Sequence, residues 1–552
     1  MTNQDGVWWQ TSTGYQIYPR SFCDSNGDGI GDIPGIVSKL DHLRDLGIGF
    51  IWLSPVYRSP MADNGYDISD YRDIAPEFGT LGDFDRLVAE AKARGIGIVM
   101  DLVVNHSSSD HAWFRAARTS RNVPEHDFYV WRDPAPDGGP PSAHQASFGG
   151  SAWNYVPEIG QYYLGHFSAA QPDLNWQNPA LRAEIYDMMN WWLDRGIAGF
   201  RMDVISLIGK DVDAGIYEEG PYLHGFLQEM HRETLAGRDI VTIGESWSVS
   251  RETALLYCGR ERAELDMVFQ FNHVTAFEDE VFGKFRPKPF DLVRLKTVLF
   301  DWQETLAEDG WNSLFLSNHD LPRQVSKYGD DGPHRVASAK MLATVMHLMK
   351  GTPFVYQGEE IGMTNAAFTR IDQFRDIETL GKYADQIAAG VTPEDFIRGA
   401  NENGRDNART PMQWTDADQA GFTTGAPWIE VNPNHVTINV ATDRADPNGI
   451  FAHYRRLTDL RRNLPVIVSG RLRPLAKDDS TVFAYLRELG DTRMIVIANF
   501  TAAPVDFSVP VDIRGDGSCL IASHAPRSSL GETLALAPFE SVAIQLTTAG
   551  KP

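Results

Sequence analysis

Three acidic side chains, Asp203, Glu245 and Asp320, stand at or just beyond the ends of short apolar runs, and Asn105, His106, Arg201 and His319 share that kind of position. The strings are Asp101-Leu102-Val103-Val104-Asn105-His106, Arg201-Met202-Asp203, Gly244-Glu245 and Asn318-His319-Asp320. One carboxylate at a strand end reads first as the cap of the following helix. Four such ends in one chain point instead to a shared site. Carboxylates crowded there cannot all be solvated alike and titrate apart, leaving one ionised to act as nucleophile and another protonated to act as acid. Cleavage of a glycosidic bond requires that division. Arg201 lies two residues before Asp203, on the same face of a strand, and is expected to hold that aspartate ionised and aimed.

Those side chains need a scaffold that brings several strand ends to one mouth. From Gly14 onward, β-branched runs alternate with amphipathic stretches, the pattern of repeated β–α units and a parallel sheet. Strands are expected at 15–18, 49–53, 97–103, 199–202, 240–244, 267–271, 314–316 and 353–356, with helices such as 34–46, 84–94 and 451–462. Eight strands close a barrel, whose polar strand ends gather at the C-terminal face. The expected fold class is therefore α/β, a (β/α)8 barrel. Two intervals are too long to be simple connections. One, 105–177, reads as an inserted domain after the third strand. The other, about 358–446, reads as a subdomain with polar loops and some helix. The barrel thus spans 1–104 and 178–466, and β-alternation over 467–552 predicts a C-terminal antiparallel β-sandwich.

The bulk properties fit a soluble enzyme. Hydrophobic residues make up 42% of the 552 positions and charged residues 22%. The formal net charge of −24 would repel nucleic acid and anionic lipid. The Met1-Thr2-Asn3-Gln4-Asp5 start shows neither a basic segment nor an apolar leader, and no run of about 20 apolar residues follows, so a cytoplasmic location is expected. Cys23, Cys258 and Cys519 are too far apart for a disulfide framework or zinc spacing. Fourteen Trp and eighteen Tyr supply flat faces for sugar rings, although most such rings serve a core.

The residues resemble the α-amylase family of glycoside hydrolases, in its oligo-1,6-glucosidase and dextran-glucosidase branch. The four strings above look like the family's signature regions in order, with Gly199-Phe200 and Ser246-Trp247 extending two of them. Gln171-Pro172-Asp173-Leu174-Asn175-Trp176 and Gly404-Arg405-Asp406-Asn407-Ala408-Arg409-Thr410-Pro411-Met412-Gln413-Trp414 resemble two further signatures of the branch. The resemblance covers nearly the whole chain. It implies that Asp203 is the nucleophile, Glu245 the general acid/base, and Asp320 the carboxylate that holds and distorts the sugar. It further implies hydrogen bonds from His106 and His319 to sugar hydroxyls, a pocket base of Asp63 and Tyr66, a grip by Arg405, and an entrance shaped by Phe148, Phe167 and Gln171. The implied reaction is a double displacement with retained configuration, for which the two carboxyl groups should lie about 5–5.5 Å apart.

Val204, next to the nucleophile, resembles the residue of α-1,6-preferring relatives, while a smaller or hydroxyl-bearing residue accompanies α-1,4 preference; a barrel-wall role for a β-branched residue is the plainer alternative. The substrate implied is a short oligosaccharide or disaccharide, with sucrose or its isomers open. Sucrose isomerases share these motifs but carry an arginine-aspartate-arginine cluster that is absent from the corresponding segment, Phe285-Arg286-Pro287-Lys288-Pro289-Phe290-Asp291-Leu292-Val293-Arg294-Leu295. A transglucosylase, or a sugar-binding or transporter-associated protein without catalysis, stays as an alternative; the presence of all three carboxylates weighs against the last. No organic cofactor is expected, and the oligomeric state is left open between monomer and weak dimer.

Asp24, Asn26, Asp28 and Asp32 occupy positions one, three, five and nine of a loop with Gly29 at six and the Ile30 carbonyl at seven. Hard oxygen ligands at that spacing wrap calcium. Position twelve is Gly35 rather than Glu, so the loop is no EF-hand; it resembles the branch's structural calcium loop. A polar turn held by Asx hydrogen bonds is the alternative.

Overall fold

The computed structural model describes residues 7–547; the Met1–Asp5 stretch read for a leader lies outside them. Eight parallel strands are present: β1 (Gly14–Ile17), β2 (Phe50–Leu53), β3 (Gly97–Leu102), β4 (Gly199–Met202), β5 (Val241–Ser246), β6 (Met267–Gln270), β7 (Ser313–Leu314) and β8 (Thr352–Tyr356). Their pairing runs β6-β5-β4-β3-β2-β1-β8-β7, and a parallel bridge from Val268 to Asn312 joins the two outer strands, so the sheet closes on itself. The strands read as continuous apolar runs because both faces are buried. Phe50, Trp52, Val99, Ile243, Met267, Phe269 and Phe354 fill the interior, while Ile51, Leu53, Ile98 and Met100 pack outward against the helices.

Local chemistry sets the surrounding helices. Leu81–Ala93 begins at a capping box of Thr80 and Asp83, and buries Phe84, Leu87, Val88 and Ala91 on one stripe. Pro179–Asp194 starts with Asn178 as cap and Pro at the first position, and Ile450–Asn463 closes the outer ring. The single helix expected over 34–46 is instead two, Ile33–Ser38 and Leu40–Leu46, parted at Lys39. The first contains Pro34, Gly35, Ile36 and Val37, all weak helix formers, and Ser38 Oγ turns back onto the Gly35 carbonyl at 2.6 Å.

Between β3 and β4 the chain forms the helix Ala112–Ala117 and a three-stranded antiparallel sheet with Gln161–Leu164 between Trp131–Arg132 and Trp153–Val156. Buried Lys210, from the β4–β5 connection, fastens this insertion to the barrel by reaching Asp173 at 2.5 Å and Asn105 at 2.7 Å. After β8 come the helices Ile377–Ala388, Pro393–Asn403 and Asp406–Arg409.

The C-terminal strands form a six-stranded antiparallel sheet and a facing two-stranded one, Val505–Ser508 with Thr533–Leu536. In Val482–Leu489, Phe483 and Tyr485 belong to the barrel-side core, whereas Val482, Ala484 and Leu486 meet Phe507, Leu534 and Leu536 of the second sheet. Alternation by two thus buries both faces of one strand. No helix among the described residues is long and apolar enough to cross a membrane.

Candidate active site

Asp101 of β3 and Arg201 of β4 are register partners in adjacent strands, so their side chains point the same way into the barrel mouth. Arg201 is 1% exposed. Its Nη1 donates to Asp101 Oδ1 at 2.7 Å and to Asp203 Oδ1 at 2.9 Å, and its Nη2 donates to Glu245 Oε2. The guanidinium lies over the Trp52 ring, 4.8 Å from its centroid. Glu245 Oε2 also accepts the Val204 N–H at 3.0 Å, and Oε1 accepts Trp247 Nε1 at 3.1 Å. Two carboxylates held on the two terminal nitrogens of one planar group lie side by side.

One guanidinium serves three buried carboxylates. Burial pushes Asp203 well above the ordinary carboxylate range; Glu245, Asp101 and Asp320 add to that push and Arg201 opposes it. Burial likewise lifts Asp101 to about 6 against Arg201. Arg201 reaches Asp203, as expected, and pulls its carboxyl toward the ionised form against the push of burial. The group is shared by Asp101, Asp203 and Glu245. Val204 adopts φ +36°, ψ 44°, the left-handed region. For a β-branched residue that costs roughly 1–3 kcal/mol, and the conformation aims its N–H at Glu245.

Asp320 follows β7 and faces the cavity. Burial raises its carboxyl, but the charges around it, those of Arg405 and Arg409 among them, outweigh that and hold it far below the usual range. Arg409 Nη2 reaches it at 2.8 Å and Arg405 Nη1 at 3.4 Å. Behind both arginines sits Asp376, 0% exposed, which accepts Arg405 Nε at 2.9 Å and Nη2 at 2.5 Å and lies 3.5 Å from Arg409 Nη1. Asp376 also caps the helix Ile377–Ala388 through Thr379 N at 3.0 Å. Arg405 stacks on Phe148 at 4.8 Å, and the Phe148 carbonyl lies 2.0 Å from where a side chain on Gly381 would begin, so only glycine lets the inserted loop seat on that helix.

A cavity of about 600 Å³ unites most of the expected residues. Asp63, Tyr66, His106, Phe148, Phe167, Gln171, Asp203, Val204, Glu245, Asp320 and Arg405 line it. Arg201 and His319 do not. Arg201 lies behind the carboxylates, and both nitrogens of His319 are already engaged. Gln16 Nε2 donates to Nδ1 at 2.8 Å. The other nitrogen, Nε2, therefore carries the proton and donates to Tyr66 Oη at 2.7 Å, and Tyr66 Oη donates to Asp101 Oδ2 at 3.0 Å. Both stand next to cavity-lining residues, Arg201 beside Asp203 and Glu245, and His319 beside Tyr66 with its Nε2 also 3.4 Å from Asp320 Oδ2. Burial lowers His319 to about 3 and His106 to about 4, leaving both neutral. At the cavity's end Asp63 accepts Gln171 Nε2 at 3.0 Å and lies 3.5 Å from Arg405. Burial lifts Asp63 to about 7, with Arg405 and Arg409 opposing.

Sequence reasoning did not single out Asp101, Asp376 or Arg409 for roles. Asp101 and Arg409 lay within recognised strings and could have been found there; Asp376 carried no such signal.

The loop carrying Asp24, Asn26, Asp28, Ile30 and Asp32 is wound by Asx hydrogen bonds. Asp24 accepts Asn26 N, Gly27 N and Gly29 N at 2.8–2.9 Å, Asn26 accepts Asp28 N, and Asp28 accepts Ile30 N. Gly29, at φ +91°, packs under the Ala426 carbonyl with no room for a side chain. Asp32 accepts Ser25 N and caps the next helix through Gly35 N. The winding suits a cation loop, yet among the described residues no three Asp, Glu, His or Cys side chains are grouped so as to hold a metal ion.

Residues 16–470 match the family described as "Alpha amylase, catalytic domain", and residues 472–542 match "Maltogenic Amylase, C-terminal domain". The chain is 54% identical to palatinase of Erwinia rhapontici over 97% of its length and 98% of that protein's. It is 50% identical to an oligo-1,6-glucosidase of Halalkalibacterium halodurans, covering 97% and 98%. The solved structure of a trehalose-6-phosphate hydrolase from Bacillus licheniformis superposes with a TM-score of 0.93 at 43% identity, covering 98% of this chain and 100% of that one.

Proposed function

The chain belongs to the α-amylase family of glycoside hydrolases, and from that premise we propose that it is a retaining, exo-acting α-glucosidase. It removes a terminal glucose from short α-linked oligosaccharides, with a lean to α-1,6 linkages and to isomers of sucrose. The observation that carries this reading is the grip of one buried arginine on both Asp203 and Glu245, which sets two carboxylates side by side at the cavity wall. Inverting enzymes hold the pair about 6.5–9.5 Å apart to admit a water between them; a shared guanidinium favours the closer arrangement.

In the first step Asp203 attacks the anomeric carbon while Glu245 gives its proton to the departing oxygen. Glu245, now ionised, takes a proton from water, whose oxygen attacks the same carbon and releases glucose from Asp203. Asp320, kept ionised by two arginines, holds a sugar hydroxyl pair and favours ring distortion. The Asp63, Gln171 and Arg405 contacts close the far end of the cavity, which suits a single terminal residue.

Val204 leans the preference to α-1,6; a methyl-sized change there is worth about 1–3 kcal/mol. The palatinase and oligo-1,6-glucosidase relatives support the same lean. The reading includes a structural Ca2+ on the Asp24–Asp32 loop and a cytoplasmic location, the latter supported by three unpaired cysteines, two of them buried.

The test is a panel of isomaltose, maltose, sucrose, isomaltulose and trehalulose, with the anomer of the first glucose released followed by NMR. Release of α-glucose from isomaltose and isomaltulose is expected. Conversion of sucrose to isomeric disaccharides alone would replace hydrolase with isomerase, and β-glucose as first product would refute retention.

A further inference from the structure

We propose that the cavity selects its leaving group by charge, accepting α-glucosides with a neutral or cationic leaving group and rejecting those that carry phosphate or carboxylate. This rests on the α-glucosidase reading and deepens it.

Eight carboxylate side chains and three cationic ones line the cavity. Besides Asp63, Asp203, Glu245 and Asp320, these are Glu218, Glu278, Glu378 and Asp385. Two of the three cations are already paired with carboxylates. Arg405 is held by Asp376 at 2.5 Å, by Glu378 at 3.3 Å and by Asp320 and Asp63. Lys284 is paired with Glu378 at 2.5 Å. Among the described cavity residues only Lys382 has no carboxylate within ion-pair distance. His106 and His166, both lowered by burial to about 4, add no positive charge at neutral pH.

Recognition of a phosphate dianion takes converging, uncommitted cations, and like charge around a desolvated ligand rejects it. A fold shared with a trehalose-6-phosphate hydrolase therefore does not carry that substrate to this chain. The apolar faces of Phe148, Phe167, Trp247 and Phe282 instead suit the underside of an uncharged sugar, and the surrounding carboxylates suit a protonated amine.

The experiment measures hydrolysis of isomaltose, its analogue with glucosamine as leaving sugar, its analogue with gluconate as leaving unit, and trehalose 6-phosphate at about pH 6. All four are also measured as competitors against 4-nitrophenyl α-glucoside, so the result does not depend on whether isomaltose itself is cleaved. The glucosamine analogue is expected to bind at least as well as isomaltose at low salt, with its advantage shrinking in about 0.5 M NaCl. The gluconate analogue should be at least about tenfold weaker and trehalose 6-phosphate about a hundredfold weaker. In the double variant Glu218→Gln, Asp385→Asn the ratio of gluconate analogue to isomaltose should rise. Trehalose 6-phosphate binding or turning over as well as isomaltose would overturn the proposal, as would a ratio unmoved in the double variant. Failure to cleave isomaltose, with the binding order intact, would count against the linkage reading alone.

Discussion

Asp376 shows how a residue that need never touch a sugar can set the chemistry. It binds Arg405 and Arg409, and those two hold Asp320 ionised. Asp376→Asn keeps a helix cap but removes the charge. It is expected to lower kcat/KM about a hundredfold, roughly 2.7 kcal/mol, mainly through kcat, with Asp376→Glu recovering most of the loss. Equal loss in both variants, or a fall in Tm alone, would assign Asp376 a structural role only. Asp63 gives a test with a definite sign. Its folded-state pKa of about 7 lies above the ordinary value, so its contribution to stability is full below about pH 4 and is lost as pH rises through about 7. Asp63→Asn should therefore gain Tm relative to the parent protein as pH goes from about 4 to 8. A constant difference would contradict the buried, raised carboxyl. The three carboxylates proposed as catalytic could be singled out in the sequence because each stands at or beyond the end of an apolar run, and the structure brings them to one cavity. Asp376 could not, because its partners lie 29 and 33 residues away and no periodicity marks it.

At the scale of elements, all eight barrel strands could be read, since burial on both faces leaves unbroken apolar runs and each is followed by a polar end. Errors fell where local preference was weak. The break at Lys39 follows Pro34, Gly35, Ile36 and Val37, whose helix tendency is too low to carry one helix through 34–46. What pairs across long loops was also hidden: nothing before the fold was seen said that Phe148 of the inserted domain would stack on Arg405 or seat on Gly381. The Asp24–Asp32 loop belongs to this scale, since it joins β1 to its helix and packs against the segment around Trp428, whose N–H donates to the Gly29 carbonyl at 3.0 Å. With Ca2+ bound to the native state only, chelation should lower Tm by a few degrees and leave initial rates nearly unchanged. Asp24→Ala should abolish that shift. A Tm indifferent to chelator and to added Ca2+ would leave the loop a polar turn.

Across the whole molecule the C-terminal sheets act on the barrel through buried cations bound to backbone oxygens. Lys296 Nζ, from the helix Leu292–Thr305, meets the carbonyls of Ala476, Asp479 and Val482 at 2.6, 2.5 and 2.9 Å. Arg487 reaches back to the carbonyls of Leu348, Ile467 and Gly470 at 2.6–2.9 Å. Lys296→Met takes a donor from three carbonyls, of which that of Ala476 keeps the Asp479 N–H at 3.1 Å, and should cost about 1–3 kcal/mol of stability with kcat/KM unaltered; a loss of activity at temperatures where the variant is folded would show that the C-terminal sheets shape the site. β-alternation announced these sheets, but not that one strand would serve two cores.

The central claim is that Asp203 forms a covalent bond to glucose with Glu245 as its acid/base partner. Incubation with a 5-fluoro-α-glucosyl fluoride, followed by peptide mapping by mass spectrometry, tests it directly. A fluoroglucosyl adduct on the peptide containing Asp203, absent from Asp203→Asn, is the predicted result. An adduct on another carboxylate would contradict the account, as would steady turnover of isomaltose by Asp203→Asn.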